Sequence, residues 1–219
     1  MTPRERKQPQ QARAQQTVRA ILEATVQILD REGLDAATTT RIAEVAGVSI
    51  GSLYQYFPHR DAILSALQDR EFERTLALIE KVLADGNLDE EPIATVKAVL
   101  RGLAELYTSC TGLHRVLAIE GLRVTKAERV HAFDLRVIQV VRHFLAATRA
   151  PILRRNVDAA AFIVYQSVRA TMLAYLLERP PGLDAESLIE EMTNLVTGYL
   201  LGSSAPATAQ ERRARRAAT

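Results

Sequence analysis

The segment AGVSIGSLYQYF, residues 46–57, holds two glycines, two tyrosines, a phenylalanine and no charged residue. Taken alone, it could form a β-hairpin with glycine turns, a buried aromatic strand, or a short helix entered through a tight turn. A hairpin requires alternating strands on both sides of its turn, but stripes at helical spacing flank this segment. The stripes are Val18, Ile21, Leu22, Thr25, Ile28 and Leu29 before it, and Ile63, Leu64, Leu67, Phe72, Leu76, Ile79 and Leu83 after it. We therefore predict two short helices joined by a turn.

The turn between these helices is predicted at Gly47, because glycine accepts the left-handed backbone conformation without a steric penalty. Ser49 is a good N-cap for the second helix, since its hydroxyl can accept a hydrogen bond from a backbone N–H of the first turn. Pro58 then stops that helix after about two turns. The residues predicted to be buried are Ile42, Ala43, Ala46, Val48, Leu53, and either Tyr56 or Phe57. Two short helices at a steep angle are typical of DNA-reading helix pairs.

The outer face of the second helix is predicted to carry polar groups that suit DNA. Ser52 and Gln55 can hydrogen-bond to base edges, and Ile50 can contact a thymine methyl group. The Tyr54 hydroxyl can donate to a phosphate, and Gly51 permits close backbone approach. The complete set of predicted DNA contacts is Thr39, Thr40, Arg41, Ser49, Ile50, Gly51, Ser52, Tyr54, Gln55 and Arg60.

The composition of the 219-residue chain is that of a globular protein, with 47% hydrophobic and 25% charged residues and a net charge of +2. Positive charge is concentrated in the first nineteen residues and in the last eight, and basic arms often contact nucleic acid. A solvated tail is an equally good interpretation of the C-terminal end. The single cysteine, Cys110, excludes an intramolecular disulfide framework. With no apolar leader segment and no run of 18 apolar residues, we expect a cytoplasmic protein without a membrane span.

The rest of the chain keeps a helical period, and no segment alternates like a strand, so the predicted fold class is all-α. Residues 158–177 are apolar almost all round, and a helix that is hydrophobic on every side must be covered on every side. Residues 184–201 carry a seam like that of a helix bundle. We therefore predict a homodimer in which these last two helices, about 156–179 and 184–201, pack against their copies.

The segment TTTRIAEVAGVSIGSLYQYFPHRDAIL, residues 38–64, resembles the DNA-binding signature of the TetR family of bacterial repressors. The resemblance lies in a Thr before IA, then AGVS, a Gly, LY, YF, and a basic residue before a Leu-rich helix. Two positions depart from the family pattern. Arg60 stands where lysine is commoner, which keeps the charge, and Ile50 occupies a variable site that is often polar.

The resemblance implies a homodimer that places two recognition helices in successive major grooves of a palindromic operator in double-stranded DNA. It also implies a small, largely hydrophobic effector in the C-terminal part that shifts the helix at about 60–84. The protein would then be a repressor and not an enzyme. The implied domains are a disordered basic arm at 1–12, a three-helix helix-turn-helix domain at 13–60, a larger helical ligand-binding and dimerisation domain at 61–202, and a disordered tail at 203–219.

The candidate effector contacts lie on four predicted helices and combine apolar side chains with a few polar groups, as in a site for a hydrophobic ligand. They are Tyr107, Cys110, His114, Phe133, Val137, Phe144, Phe162, Tyr165 and Arg169. Ordinary core packing is the alternative interpretation of each residue. Arg169 is the most suggestive, because it lies in an otherwise apolar helix and could pair with Glu120, meet an anionic ligand, or extend to the surface.

No catalytic, metal or cofactor site is predicted. Glu128 and His131 have the Glu-x-x-His spacing of di-iron bundles, but such sites need a second copy of the motif and further carboxylates. HExxH, Walker and GxGxxG motifs are all missing from the sequence. The alternative to a DNA-binding regulator is a helical enzyme or adaptor protein that only contains a helix-turn-helix-like pair.

Overall fold

The computed structural model describes residues 7–86, 90–150 and 152–202, and within them it contains nine α-helices and no strand. This confirms the all-α prediction. The helices are α1 Lys7–Arg31, α2 Thr39–Ala46, α3 Ile50–Tyr56, α4 Arg60–Asp85, α5 Pro92–Ser109, α6 Thr111–Val124, α7 Ala127–Ala147, α8 Val157–Glu178 and α9 Ala185–Leu201.

The N-terminal arm differs from the sequence expectation. Residues 1–12 are predicted to be disordered, but α1 begins at Lys7, so residues 7–12 are helical. Glutamine, alanine and arginine favour helix, and Pro9 lies in the first turn, where its missing N–H needs no intrahelical partner. Residues 1–6 and the tail at 203–219 lie outside the described residues. The other domain boundaries stay predictions.

The described helices form two compact units, each built from separate stretches of the chain. The first unit contains residues up to 77 together with 105–135 and 173–179. The second contains residues 78–104, 136–172 and those from 180 onward. Each unit therefore combines helix segments that are in contact in space but are separated in the sequence.

The core of the first unit joins the helix-turn-helix pair to α6. Its buried residues come from α1 to α4 and from α6 together. Leu113 and Leu117 of α6 are buried in the same cluster as Ile42 and Leu53 of the helix pair. The members of the cluster are Ile21, Ile28, Leu29, Ala37, Ile42, Ala43, Leu53, Phe57, Ile63, Leu64, Leu67, Leu113 and Leu117. Helix α6 thus completes the core that holds α2 and α3.

The contact between α6 and α1 is unusually close and depends on Gly112. A Cβ atom at this position would lie 2.5 Å from the Leu29 carbonyl oxygen and 2.5 Å from the Asp30 Cα. The Gly112 N–H donates to the Asp30 carboxylate at 2.9 Å. Because the N-cap residue of α6, Cys110, makes no side-chain cap hydrogen bond, Asp30 supplies this cap from another helix.

The core of the second unit contains α9 and the small residues of α8. Ala160 and Ala161 of α8 are buried with Val196 and Leu200 of α9, and Leu145 of α7 completes this cluster. Other apolar side chains of these helices stay exposed, with Phe162 52% and Leu195 55% accessible. The apolar surface of α8 is therefore only partly covered within the chain.

Among the described helices, α8 alone is long and apolar enough to cross a membrane, with a mean hydropathy of 1.3 over its most apolar window. This criterion concerns length and composition only, and helices that lie in protein cores or interfaces also meet it. It is therefore weak evidence for a span.

Replacing Gly112 by alanine should destabilise the protein by about 1–3 kcal/mol, because the added methyl group meets the backbone of α1 and not a movable side chain. The measurement is the free energy of unfolding in urea. The matched control is Ile119→Ala, which truncates an exposed residue of the same helix and should change stability by less than about 0.5 kcal/mol. Equal effects of the two substitutions would contradict a tight α1–α6 contact.

Candidate nucleic-acid interface

The turn between α2 and α3 has the geometry predicted for Gly47. Its φ and ψ are 67° and 29°, in the left-handed region that favours glycine. The Gly47 N–H donates to the Glu44 carbonyl at 3.1 Å, and the Val48 N–H donates to the Ala43 carbonyl at 3.0 Å. These two hydrogen bonds satisfy the last carbonyls of α2 and fix where α3 begins.

Helix α3 is held at both ends by the residues that the sequence indicated. The Ser49 hydroxyl accepts a hydrogen bond from the Ser52 N–H at 3.0 Å, as predicted for an N-cap. Leu53 is fully buried. The alternative left open between Tyr56 and Phe57 is resolved for Phe57, which is 7% exposed, whereas Tyr56 is 37% exposed.

The outer face of α3 is uncharged and accessible. Ile50 is 41% and Tyr54 50% exposed, and Gly51 and Gln55 are also exposed. Ser52 is half-buried, and its hydroxyl oxygen lies 2.8 Å from that of Ser49. The helix therefore presents hydroxyl, amide and apolar groups on one face, a combination that can read base edges.

The start of α2 lies beside this face. The hydroxyl oxygens of Thr39 and Tyr54 are 3.1 Å apart, which joins the first turn of α2 to the exposed side of α3. Thr40 is exposed in the same turn. The N-cap of α2 is Thr38, whose hydroxyl accepts from the Arg41 N–H at 3.2 Å. The sequence did not single out Thr38, because three consecutive threonines are equally good caps.

The two arginines expected to attract phosphates make intramolecular contacts. Arg41 donates to Glu32 at 3.2 Å and lies 3.6 Å from a carboxylate oxygen of Glu44. Arg60 donates to the Leu34 carbonyl at 3.4 Å. The role of both arginines at DNA stays a prediction. The sequence did not single out either acidic partner of Arg41: Glu32 lies in the turn after α1, and Glu44 lies on α2 itself.

Three of the candidate effector residues come together at the start of α6. The rings of Tyr107 and His114 meet edge to face, with centroids 5.3 Å apart. The Nδ1 atom of His114 lies 2.9 Å from the Cys110 carbonyl oxygen. Burial, followed by the nearby Asp30 carboxylate, raises the pKa of the Cys110 thiol. These contacts link α5 to α6, and their role in binding an effector stays a prediction.

A buried carboxylate, Glu71, lies next to His114. Its side chain contacts Arg70 at 3.2 Å, Arg74 at 3.1 Å and the His114 Nε2 atom at 3.5 Å. Burial alone would raise the pKa of Glu71, but His114 and the two guanidinium groups overcome this effect and hold that pKa below its usual value. The His114 Nε2 atom makes no hydrogen bond. Its nearest polar partner among the described contacts is the Glu71 carboxylate.

The other candidate effector residues have different environments. Phe133 stacks on Phe72, with ring centroids 4.2 Å apart. Within the second unit, Val137 and Tyr165 are buried, Phe144 and Arg169 are half-buried, and Phe162 is exposed. Glu128 and His131 are both exposed. Among the residues that the structure describes, no group of three or more histidine, cysteine, aspartate or glutamate side chains could hold a metal ion.

Two family models match the chain and together span most of it. One, described as bacterial regulatory proteins of the tetR family, matches residues 21–67, which contain α2 and α3. The other, described as the C-terminal domain of tetracyclin repressor-like proteins, matches residues 93–200. The division between the two models falls within the α4–α5 region, which separates the helix pair from the apolar helices α8 and α9.

Individual relatives match about half of the chain or most of it. The nucleoid occlusion factor SlmA of Actinobacillus pleuropneumoniae is 35% identical over 98 residues, which covers 44% of this chain and 47% of SlmA. The chain thus matches about half the length of this SlmA and of the SlmA of Haemophilus ducreyi. The transcriptional regulator EthR of Mycolicibacterium smegmatis is 24% identical over 201 residues, which covers 87% of this chain and 88% of EthR.

A solved structure shows the same fold. It is the TetR-family transcriptional repressor FadR of Thermus thermophilus in complex with lauroyl-CoA. Its TM-score is 0.59 at 21% sequence identity, and the match covers 88% of this chain and 99% of FadR.

Replacing both Glu32 and Glu44 by glutamine should release Arg41 for contact with phosphate, so that DNA of any sequence binds more tightly and with a steeper salt dependence. One added phosphate contact raises the slope of log K against log salt by about 0.9. The measurement is fluorescence anisotropy with a random-sequence duplex at several salt concentrations. The control is Glu186→Gln with Glu190→Gln, an equal change of net charge in the second unit. The same steepening in both double variants would contradict a specific effect through Arg41.

Proposed function

Because the chain belongs to the TetR family of bacterial regulatory proteins, we propose that it is a transcriptional regulator that binds double-stranded DNA. The exposed, uncharged face of α3 carries this proposal, since an exposed helix face in a soluble protein usually includes charged side chains. Leu53 and Phe57 anchor the opposite face, so that the outer residues are presented in a fixed orientation.

In this proposal α3 enters the major groove. Ser52 and Gln55 hydrogen-bond to base edges, Ile50 contacts a thymine methyl group, and Gly51 allows the helix to come close. Tyr54 donates to a phosphate, and Thr39 beside it positions the Tyr54 hydroxyl. Arg41 and Arg60 contribute positive charge near the phosphate backbone of the DNA, although each also stabilises the fold of the helix pair.

The second element of the proposal is a homodimer formed through α8 and α9. Its support is the exposed apolar surface of these helices, which includes Phe162, Ile163 and Leu195. A two-fold axis would give the dimer two copies of α3 and make the operator palindromic, with half-sites about 34 Å apart.

The third element is release from the operator by a small, largely hydrophobic effector. FadR of Thermus thermophilus was solved with lauroyl-CoA, a ligand with a long apolar chain. In this protein, Arg123 of α6 forms a bidentate ion pair with Asp61 in the first turn of α4, at 3.0 and 3.3 Å. The Arg123 guanidinium hydrogen-bonds to the Asp61 carboxylate and lowers its pKa. A displacement of α6 would therefore act directly on the start of α4.

The release is a population shift, in which the effector binds more tightly to the conformation that does not bind DNA. The coupling free energy between two such sites is typically about 1–3 kcal/mol. It would act through α6, since this helix contributes Leu113 and Leu117 to the core that holds α3.

A DNA-bound adaptor is the second candidate function, and the match to SlmA favours it, because that relative is named a nucleoid occlusion factor. Both candidates need sequence-selective DNA binding. They differ in whether transcription from a promoter that contains the operator changes when the protein binds. A helical enzyme would show no sequence-selective binding at all.

The experiment that tests the proposal is selection of bound sites from random duplex DNA, which should recover a palindrome. Tyr54→Phe should then weaken binding to all sequences by about five- to tenfold, the effect of one lost hydrogen bond. Ser52→Ala should instead alter the preference at one position of each half-site. Tyr175→Phe on α8 is the matched control and should bind normally. Unchanged operator binding by both α3 variants would show that α3 is not the reading helix.

The dimer is tested by Leu195→Glu and Phe162→Glu, which place a charge on the apolar surface of α9 and α8. We expect the wild-type protein to have the mass of a dimer in light scattering at micromolar concentration, and both variants to have the mass of a monomer. Ile93→Glu is the control, since Ile93 is an equally exposed apolar residue of α5. A wild-type monomer, or dissociation by the control alone, would contradict the proposed interface.

A further inference from the structure

An open groove runs between the N-terminal half of α1 and the middle of α4. Its volume is about 810 Å³. One face of α1 contributes Ala14, Val18 and Leu22 at helical spacing, which form an apolar floor. Arg70 and Arg74 of α4 line the opposite side. Both helix segments belong to the first compact unit.

The rim of the groove carries an excess of positive charge. Its three cationic side chains are Arg19, Arg70 and Arg74, and its single acidic residue is Glu23. Arg19 and Glu23 pair with each other at 2.7 Å. Arg70 and Arg74 share the buried carboxylate of Glu71, which balances one of their two charges, so a net excess of one positive charge remains around the groove.

We propose that this groove binds a small organic anion with an apolar tail, whose charged group is held by Arg70 and Arg74 and whose tail lies on Val18 and Leu22. The two arginines are one helical turn apart on α4, so their guanidinium groups can converge on one carboxylate or phosphate. The apolar floor suits the tail, and the volume lies within the range of about 300–1,000 Å³ that is usual for small-molecule sites.

Other occupants are less suited to the groove. The chain's own termini are rich in arginine and would be repelled by its rim. Operator DNA is also unsuited, because Arg70 lies ten residues beyond Arg60, which corresponds to about 15 Å along the axis of α4. This distance takes the rim away from the residues that we place at DNA.

Occupancy of the groove would reach α6 through Glu71. Arg74 hydrogen-bonds to both carboxylate oxygens of Glu71, and one of these oxygens, Oε2, lies 3.5 Å from the His114 Nε2 atom of α6. An anion that takes up the arginine hydrogen bonds weakens the hold of the two arginines on Glu71 and leaves His114 as the nearest polar partner of this carboxylate. The groove is therefore linked to the same helix that completes the core around α3. This regulatory consequence rests on the proposed function, whereas binding itself does not.

The test uses sodium octanoate as the probe, titrated into the DNA-free full-length protein by isothermal calorimetry, with octan-1-ol as the uncharged comparison. We expect octanoate to bind and octan-1-ol to bind at least tenfold more weakly. Arg70→Gln and Arg74→Gln should each weaken octanoate binding at least fivefold. Ala14→Phe, which fills the floor without touching Glu71, should abolish it even if Arg74→Gln impairs folding. Arg101→Gln, an exposed arginine of α5, is the control and should bind octanoate as the wild type does.

Several outcomes would overturn the proposal. Octanoate binding that none of the groove variants alters would place the anion elsewhere in the protein. Absence of octanoate binding, together with binding of an acidic peptide that requires Arg70 and Arg74, would make the groove a protein-docking surface. If the wild-type protein binds no octanoate and Arg19→Gln weakens binding to the operator, the rim of the groove contacts DNA instead. Because the titration contains no DNA, its result is independent of whether an operator exists.

Discussion

Helix α6 completes the hydrophobic core of the helix pair at the N-terminal end. Leu113 and Leu117 are buried among the residues of α1 to α4, and Gly112 lets the backbones of α1 and α6 approach until no side chain fits between them. Packed interiors do not deform smoothly, so a movement of α6 cannot be absorbed at this contact. The orientation of α3 therefore depends on a helix that the family comparison assigns to the C-terminal domain.

The sequence predicts the features of this fold that depend on neighbouring residues. The turn at Gly47, the Ser49 cap and the burial of Leu53 all follow from spacing within twelve residues. The features that it does not predict join distant residues. The cap that Asp30 gives to α6 spans 82 positions, and nothing at Gly112 alone indicates which backbone approaches it. For the same reason, the sequence assigns Arg41 to DNA but does not show its pairing with Glu32 in the turn after α1.

The candidate effector residues also show that the sequence predicts contacts between neighbouring residues but not between distant ones. Tyr107, Cys110 and His114 lie together because they flank one helix junction, which sequence spacing can show. The residues on α7 and α8 have unlike environments because their burial depends on packing between helices far apart in sequence. In the homodimer that we propose, a second subunit would cover the exposed Phe162, and one sequence cannot place that subunit. Charge in the described part of the first unit follows a related pattern. Several of its arginines pair with carboxylates, whereas the exposed face of α3, which we propose reads DNA, carries no charge.

The way α3 is attached has a consequence for how such proteins diversify. The described contacts that attach α3 to the rest of the protein involve Ser49, Leu53 and Phe57, and Tyr54 adds one hydroxyl contact to Thr39. Ile50, Gly51 and Gln55 point away from these attachments and are exposed. Substitutions at these three positions can therefore accumulate during evolution at little cost in folding. A duplicated gene could acquire a new target sequence by substitutions at these three positions. Its stability and the contact of α6 with the core around α3 would remain those of the parent protein.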